Sequence, residues 1–333
     1  MKKTIVCCLV GLFALPVLEG IASSPAEFTV QLIGTFDYPG NVTSTQPQKI
    51  SDNRNTVGVF IDSSGLSSGF VRFKNGTFTP PLVDPNDTTG TTQGRGINRN
   101  YQICGDYVDP TTGNYHGFFS KGLGFHDYLV PGSTWTITLG LNNAADFCGS
   151  DIPSSGIQSG FISVGGSVTE FTVPGSSATL AYQINSSGQT AGYYLDSAGI
   201  SHGYYRDSDG SFVFPIDPAG STGTIVFGNN DSNYIVGRYP DISGVTHGFV
   251  FFPPSTYVTF DFPGSTFTSL NGINRSGMIV GRYLDSSTGI EHGFVARLVS
   301  GSDRNTGGTI PQRHSAGEGL GEVVKGVFEK PAF

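Results

Sequence analysis

The sequence predicts an all-β chain folded as a six-bladed β-propeller of four-stranded antiparallel blades. A pattern that ends in Gly-Phe or Gly-Tyr recurs six times at intervals of 43 to 48 residues, the length of one propeller blade. Its glycines are Gly69, Gly117, Gly160, Gly203, Gly248 and Gly293. Glycine supplies 48 of the 333 residues, and charged residues make up 13%. This composition is typical of many short strands joined by tight turns.

Each repeat contains four extended segments. The first begins at a recurring threonine and ends near Ile-Asn, and a β-turn leads into a second strand such as 279–283. A second turn carries Asp and Gly, the third strand opens on His-Gly-aromatic, and the fourth ends near Pro-Gly, as in 260–264. The threonines are Thr45, Thr92, Thr136, Thr179, Thr224 and Thr268. Four antiparallel strands per repeat predict one blade.

The termini predict how the ring closes. Residues 36–40, Phe-Asp-Tyr-Pro-Gly, match the fourth-strand pattern but precede the first complete set of strands, and the last repeat has no such segment after Phe294. We therefore expect 28–38 to complete the last blade and close the ring, which removes an exposed sheet edge. The propeller then spans 25–298. Its repeats lie near 43–85, 90–131, 134–174, 177–218, 222–263 and 266–298.

Residues 1–24 are typical of a signal peptide. Lys2 and Lys3 precede an apolar stretch, 4–18, and small residues follow at 20–24. A membrane anchor is the alternative, but this stretch is shorter than the ~18 apolar residues that a span needs. We expect export to the periplasm, cell surface or medium, with no membrane span after cleavage. The tail, 299–333, is predicted to be flexible, with docking of its apolar residues as the alternative.

Net charge disfavours two classes of partner, and the positions of the cysteines oppose a disulfide. A net charge of −8 with scattered basic residues disfavours nucleic acid and anionic membranes as partners. Cys104 and Cys148 each precede the second-strand glycine of their repeat. Equivalent residues of adjacent blades point the same way round a ring, which opposes the facing geometry of a disulfide. We expect two buried thiols.

The His-Gly-Phe repeats, with their Gly-Ile-Asn and Gly-x-Tyr elements, resemble the bacterial HAF-type extracellular repeat family. The resemblance covers about 28–298, with Ser68 and Ser159 in place of histidine in two copies. It implies an exported repeat protein and supplies no catalytic residues.

The recurring histidines and turn aspartates are interpreted as structural. One histidine per blade cannot converge on a metal ion, whereas histidine and aspartate share a hairpin and can orient each other. These residues are His116, His202, His247, His292, Asp109, Asp196, Asp241 and Asp285. No metal site or cofactor is predicted; calcium at the turn 207–210 is a weaker alternative, because the turn lacks a longer acidic loop.

Departures from the repeat give the candidate binding residues, because repeated positions serve the blade. Trp135 and the equivalent loop residues Asn86 and Asp87 would form one rim surface for a sugar or peptide. The unrepeated residues His126, Asp127 and Arg95 complete the candidate set.

The predicted function is that of an exported, monomeric and non-enzymatic scaffold that binds a protein, peptide or glycan. No catalytic residue is assigned, because no nucleophile motif occurs and the carboxylate spacing needed for glycoside hydrolysis cannot be read from the repeat. The alternative is an exported hydrolase or lyase acting on a carbohydrate or cell-wall polymer, since a fold does not fix a function.

Overall fold

A computed structural model describes residues 28–121 and 124–301, and its regular elements are β-strands. The prediction of an all-β chain with several four-stranded antiparallel sheets is confirmed. The predicted signal peptide, 1–24, and most of the predicted tail, 302–333, lie outside the described residues. Within the described residues, no helix is long and apolar enough to cross a membrane.

Four repeats each form a four-stranded antiparallel sheet, here called a blade, with its strands in chain order. Blade 2 holds β5 (Gln93–Ile97), β6 (Gln102–Val108), β7 (Tyr115–Lys121) and β8 (Gly124–Tyr128). Blade 3 holds β9 (Thr136–Leu141), β10 (Phe147–Asp151), β11 (Ser159–Val164) and β12 (Ser167–Phe171). Blade 4 holds β13 (Ala178–Ile184), β14 (Thr190–Leu195), β15 (Ser201–Arg206) and β16 (Phe212–Ile216). Blade 5 holds β17 (Ile225–Asn229), β18 (Ile235–Pro240), β19 (Thr246–Phe252) and β20 (Thr256–Phe260).

The other strands form one seven-stranded mixed sheet. Blade 1 contributes β2 (Val42–Ile50), β3 (Thr56–Asp62) and β4 (Ser67–Arg72). Blade 6 contributes β21 (Thr268–Ile273), β22 (Met278–Asp285) and β23 (Ile290–Ser300), and β1 (Phe28–Phe36) pairs antiparallel with β23. A single parallel bridge between Ser44 and Glu291 joins the two blades.

Blade 1 departs from the predicted four strands. Its fourth segment makes two isolated bridges, Arg72↔Phe78 and Gly69↔Leu82, in place of a continuous ladder. Pro80 and Pro81 lie between these bridges and have no backbone N–H to donate.

The first strands of the blades form a continuous circle. β2 contacts β5, β5 contacts β9, and the series continues through β13 and β17 to β21, which contacts β2 again. The recurring asparagine reinforces this circle, because its side-chain amide donates to the backbone carbonyl of its counterpart in the next blade. These bonds run from Asn98 to Asn142, Asn142 to Asn185, Asn185 to Asn230, Asn230 to Asn274 and Asn274 to Ser51, at 3.0 to 3.2 Å.

The recurring threonines and glycines have local physical reasons. The Thr268 hydroxyl accepts from the Phe262 N–H at 2.9 Å and so fixes the entering loop, and four other copies bond likewise. A Cβ on the second-strand Gly237 would lie 2.3 Å from the Ile225 carbonyl oxygen. Only glycine permits that approach of two strands.

Cys104 and Cys148 are free, buried thiols, as predicted. Burial raises the pKa of the Cys104 thiol to about 12. Cys104 packs beside Gly96 of the first strand, where an added Cβ would lie 2.6 Å from its sulfur. Both side chains therefore serve as small apolar fillers beneath the inner strands.

Candidate binding site on the ring axis

Every first strand carries a β-bulge at one equivalent residue. The register shifts there against the second strand, so one inner-strand residue stays unpaired. A bulge re-aims its side chain. The six bulge residues are Gln48, Arg95, Leu139, Tyr182, Phe227 and Asn271. They share a position but differ in side-chain type, so the side chains that line the inner wall are not six-fold symmetric.

A group of charged and aromatic side chains gathers around these bulges. We call it the axial cluster, and it consists of Arg95, Asp106, Tyr182, Tyr193, Phe227, Arg238, Phe267, Arg282 and Glu291. The Tyr182 ring lies 5.2 Å from that of Phe227 and 5.7 Å from that of Tyr193, centroid to centroid. The charges of Arg95, Asp106, Arg238 and Arg282 all act on the Tyr182 phenol, whose pKa is raised chiefly by burial. Residues from four different blades therefore face one region.

Two of the three arginines are paired with carboxylates. Arg95 Nε donates to Asp106 Oδ1 at 2.8 Å, and the Asp106 side chain is fully buried. Arg282 Nη1 donates to Glu291 Oε2 at 3.0 Å. Ser44 and Gln46 of blade 1 donate to that same oxygen, at 2.7 and 2.8 Å. Each of the two carboxylates therefore has one oxygen held by an arginine.

Arg238 forms no ion pair among the described residues. Its guanidinium stacks on Phe227 and Phe267, with its central carbon 5.3 and 5.2 Å from the ring centroids. Burial lowers the pKa of Arg238 to about 10, and the nearby charge of Arg282 adds to that effect. The group is still a cation at neutral pH, so the cluster holds three arginines against two carboxylates.

Three buried polar atoms of the cluster have no hydrogen-bond partner in the described structure. They are Arg238 Nη1, Arg282 Nε and Asp106 Oδ2. Buried polar groups are normally satisfied, and one that is not requires an explanation such as a water or a ligand. Two donors and one acceptor of the cluster are thus unpartnered and shielded from solvent, whereas other atoms of the Arg95 and Arg282 side chains, which are 19% and 16% exposed, reach the surface of the cluster.

The tryptophan singled out from the sequence borders this region. Trp135 packs with Tyr115 edge to face, at 5.6 Å between ring centroids. Both rings lie against an apolar cluster that also contacts Tyr182 and Tyr193. Trp135 is half-buried, and its place on a rim surface stays a prediction.

Lys49 crosses the axis beside the cluster. It follows the bulge of β2, at a position where four repeats have glycine and one has Gln183. Its ammonium donates to the Phe227 carbonyl at 2.7 Å and to the Asn271 carbonyl at 3.4 Å, and Tyr182 lies 5.6 Å away. Burial lowers the pKa of Lys49 to about 7.

Two of the other sequence-derived candidates, Asn86 and Asp127, contact each other away from the axial cluster. Asn86 donates to Asp127 at 3.0 Å, and the Tyr107 hydroxyl donates to the same carboxylate oxygen. Asp87 is buried, and its carboxylate accepts from amides and hydroxyls of its own loop, 89–92. His126 is exposed and lines a cavity of about 360 Å³ with Phe119, Phe147 and Leu141. Arg95 alone of the six lies in the axial cluster.

The recurring aspartates bind their own turns, and histidine has a second partner. Asp241 Oδ1 accepts from the Ser243 and Val245 amides, and its Oδ2 lies 3.4 Å from His247 Nε2. His247 Nδ1 is closer to Asp261, the residue directly after the fourth strand β20, at 2.8 Å. His202–Asp217 and His292–Asp37 repeat that contact, at 2.6 and 2.9 Å. Within residues 28–121 and 124–301, no group of three or more His, Cys, Asp or Glu side chains could hold a metal ion.

Sequence reasoning did not identify six charged or tyrosine members of the cluster as site residues: Asp106, Tyr182, Tyr193, Arg238, Arg282 and Glu291. A signal existed for four of them, namely Asp106, Tyr193, Arg238 and Arg282. The residue after the second-strand glycine differs between repeats although its neighbours recur: it is Val59, Asp106, Ser150, Tyr193, Arg238 and Arg282.

The fold is that of a β-propeller. The crystal structure of AofleA from Arthrobotrys oligospora is similar at a TM-score of 0.54 and 9% identity, covering 85% of this chain and 92% of that one. A fungal lectin from Aleuria aurantia, described as a six-bladed β-propeller with a novel mode of fucose recognition, is similar at 0.48 and 12%, covering 83% and 97%. No protein-family model matches this chain, and neither does any curated protein. Membership of the HAF-type family therefore stays a prediction.

Proposed function

We propose that this protein is an exported β-propeller binding module whose ligand binds at the axial cluster. The observation that carries the proposal is the set of three unpartnered buried polar atoms in a partly accessible site lined by aromatic rings. Small-molecule sites combine such apolar walls with a few convergent polar groups. The predicted signal peptide, 1–24, supports export.

The alternative is a hydrolase or lyase on the same scaffold. It would use Asp106 and Glu291, which come from different repeats. Burial raises the pKa of Asp106 although Arg95 opposes this effect. Against this alternative, both carboxylates accept hydrogen bonds from arginine. If Asp106→Asn abolished turnover of a polymer by this protein, the alternative would replace the binding proposal.

A ligand screen tests the binding proposal. The chain has one tryptophan, so the fluorescence of Trp135 reports on the border of the cluster. We expect a glycan or peptide from a mixed library to change this fluorescence and raise the melting temperature. Tyr193→Ala should weaken that ligand at least about tenfold, because aromatic contacts are worth about 0.5–1.5 kcal/mol beyond their buried area. Tyr205→Ala on the outer part of blade 4 is the matched control. A ligand insensitive to Tyr193→Ala would place the site elsewhere.

We also propose that β1 closes the ring by completing blade 6. Its antiparallel register with β23, from Phe28↔Ser300 to Phe36↔Gly293, supports this, and so does the His292–Asp37 contact in the position of His247–Asp261. Deleting residues 28–36 should lower the melting temperature by more than 10 °C (roughly, from the unpaired β23 edge and the lost apolar contacts). An unchanged melt would show that the ring closes without β1.

A further inference from the structure

The unpaired charge of the axial cluster indicates what kind of ligand it takes. Arg238 is the cation without a carboxylate partner, it is stacked between two phenylalanine rings, and its Nη1 has no acceptor. A guanidinium held by packing in one orientation is arranged to bind a planar anion such as a carboxylate. Arg282, beside the same Phe267 ring at 5.4 Å, adds a second positive charge.

The unpartnered acceptor of the cluster indicates a second group that the ligand must carry. Asp106 Oδ2 is buried and unpartnered, although Oδ1 of the same carboxylate is held by Arg95. A ligand that carries only a carboxylate would leave this acceptor unsatisfied, at a cost in affinity. The ligand should therefore present a hydroxyl donor as well as a carboxylate.

Aromatic side chains supply the remaining surface. The charges of Arg95 and Arg238 both act on Tyr182 and Tyr193, and both tyrosines are half-buried. Their hydroxyls can donate and accept, and their rings offer flat apolar faces. A sugar ring has hydroxyls on its edge and C–H groups on its faces, so it matches this mixture more fully than a peptide terminus does.

We propose that the axial cluster binds an acidic sugar residue, with its carboxylate on Arg238 and a ring hydroxyl donating to Asp106. This inference rests on the proposed binding function and specifies its ligand class. The acidic sugar enters as the end group of a glycan, because the side chains of the cluster are at most partly exposed.

Titrations followed by Trp135 fluorescence and calorimetry test the proposal on the full mature chain. The probes are glucuronic, galacturonic and N-acetylneuraminic acids, the methyl ester of each, glucose and galactose, and N-acetyl amino acids. We expect at least one acid to bind about tenfold to a hundredfold more tightly than its methyl ester, the range for a lost charged hydrogen bond. Arg238→Gln should weaken that acid by a similar factor and leave the ester unchanged.

A matched control distinguishes the effect of removing an arginine charge in the axial cluster from the effect of removing one elsewhere. Arg206 also stacks on two phenylalanines, Phe171 and Phe212, but on the outer part of blade 4. Arg206→Gln should leave acid binding unchanged, and Arg238→Lys should retain part of it. If Arg238→Gln fails to fold, as judged by circular dichroism, the comparison of acid with ester in the native protein still decides.

Three outcomes would overturn the acidic-sugar proposal and are distinct from failure of the binding function. Neutral sugars or methyl esters could bind as tightly as the acids. N-acetyl amino acids could bind where the sugar acids do not. Acid binding could persist unchanged in Arg238→Gln. If instead no probe and no library member bound the protein at all, the proposed binding function itself would fail.

Discussion

Replacing Lys49 by methionine tests whether a charge is held inside the circle of inner strands. The Lys49 side chain is buried, at 5% exposure, and its ammonium is bound by two carbonyls from other blades. Methionine has a similar length and no charge, so Lys49→Met fills the same space. It also leaves the two carbonyls without this donor, which lowers stability by a constant amount at every pH.

The pH dependence isolates the charge itself. Burial lowers the pKa of Lys49 from 10.5 to about 7 in the folded chain. Between these two values the unfolded chain holds a proton that the folded chain has released, so the free energy of unfolding rises with pH. At about 1.4 kcal/mol per pKa unit, the full rise is about 5 kcal/mol, of which about 2 kcal/mol falls between pH 7 and about pH 9.

Urea unfolding of both proteins across that interval measures the effect. We expect the native protein to gain about 2 kcal/mol relative to Lys49→Met between pH 7 and about pH 9. Lys74→Met, at an exposed turn, should follow the native protein and controls for loss of a lysine. Parallel curves for the native protein and Lys49→Met would refute the burial argument.

Two glycine substitutions and an alkylation experiment test the packing of the blades. Gly237→Ala places a Cβ 2.3 Å from the Ile225 carbonyl oxygen, so we expect the free energy of unfolding to fall by more than about 3 kcal/mol. Gly244→Ala, at an open turn of positive φ, should lower it by about 1 kcal/mol. Equal effects of the two substitutions would contradict the close-approach argument. Cys104 and Cys148 should both resist alkylation at pH 8 in the native protein, because burial raises both thiol pKa values, and both should react once the chain is unfolded without reductant. In the unfolded chain without residues 1–24, which contain Cys7 and Cys8, recovery of fewer than two thiols would mean that a disulfide forms.

Repeated residues made the blades predictable from the sequence. Thr268 and Asn274 recur because each repeat needs the same bonds to its entering loop and to the next blade. The two thiols were predictable for the same reason, since equivalent positions share an environment. The histidine partner was predicted less well. Asp261 directly follows the fourth strand of the same blade as His247, and the register of that strand decides which residue the imidazole reaches.

The axial cluster was predictable in one member only. Arg95 was identified because it departs from its five counterparts. Trp135, Asn86 and Asp87 were grouped by their equivalent loops, and the rim surface that they would form stays a prediction. Arg238 and Glu291 belong to strands whose neighbouring residues recur, so the sequence pattern did not distinguish them as candidate site residues. Their convergence depends on the bulges and on the order of blades around the axis.

The sequence by itself determined the strand content, the repeat length and the side chains that serve each blade, because local hydrogen bonds and close packing impose the same residues six times. The tertiary structure decided which of the variable residues meet. Six inner strands placed in a circle bring positions from distant repeats within a few ångströms, and no spacing along the chain encodes that contact. The charge excess at Arg238 and the buried ammonium of Lys49 therefore became visible only once the ring was assembled.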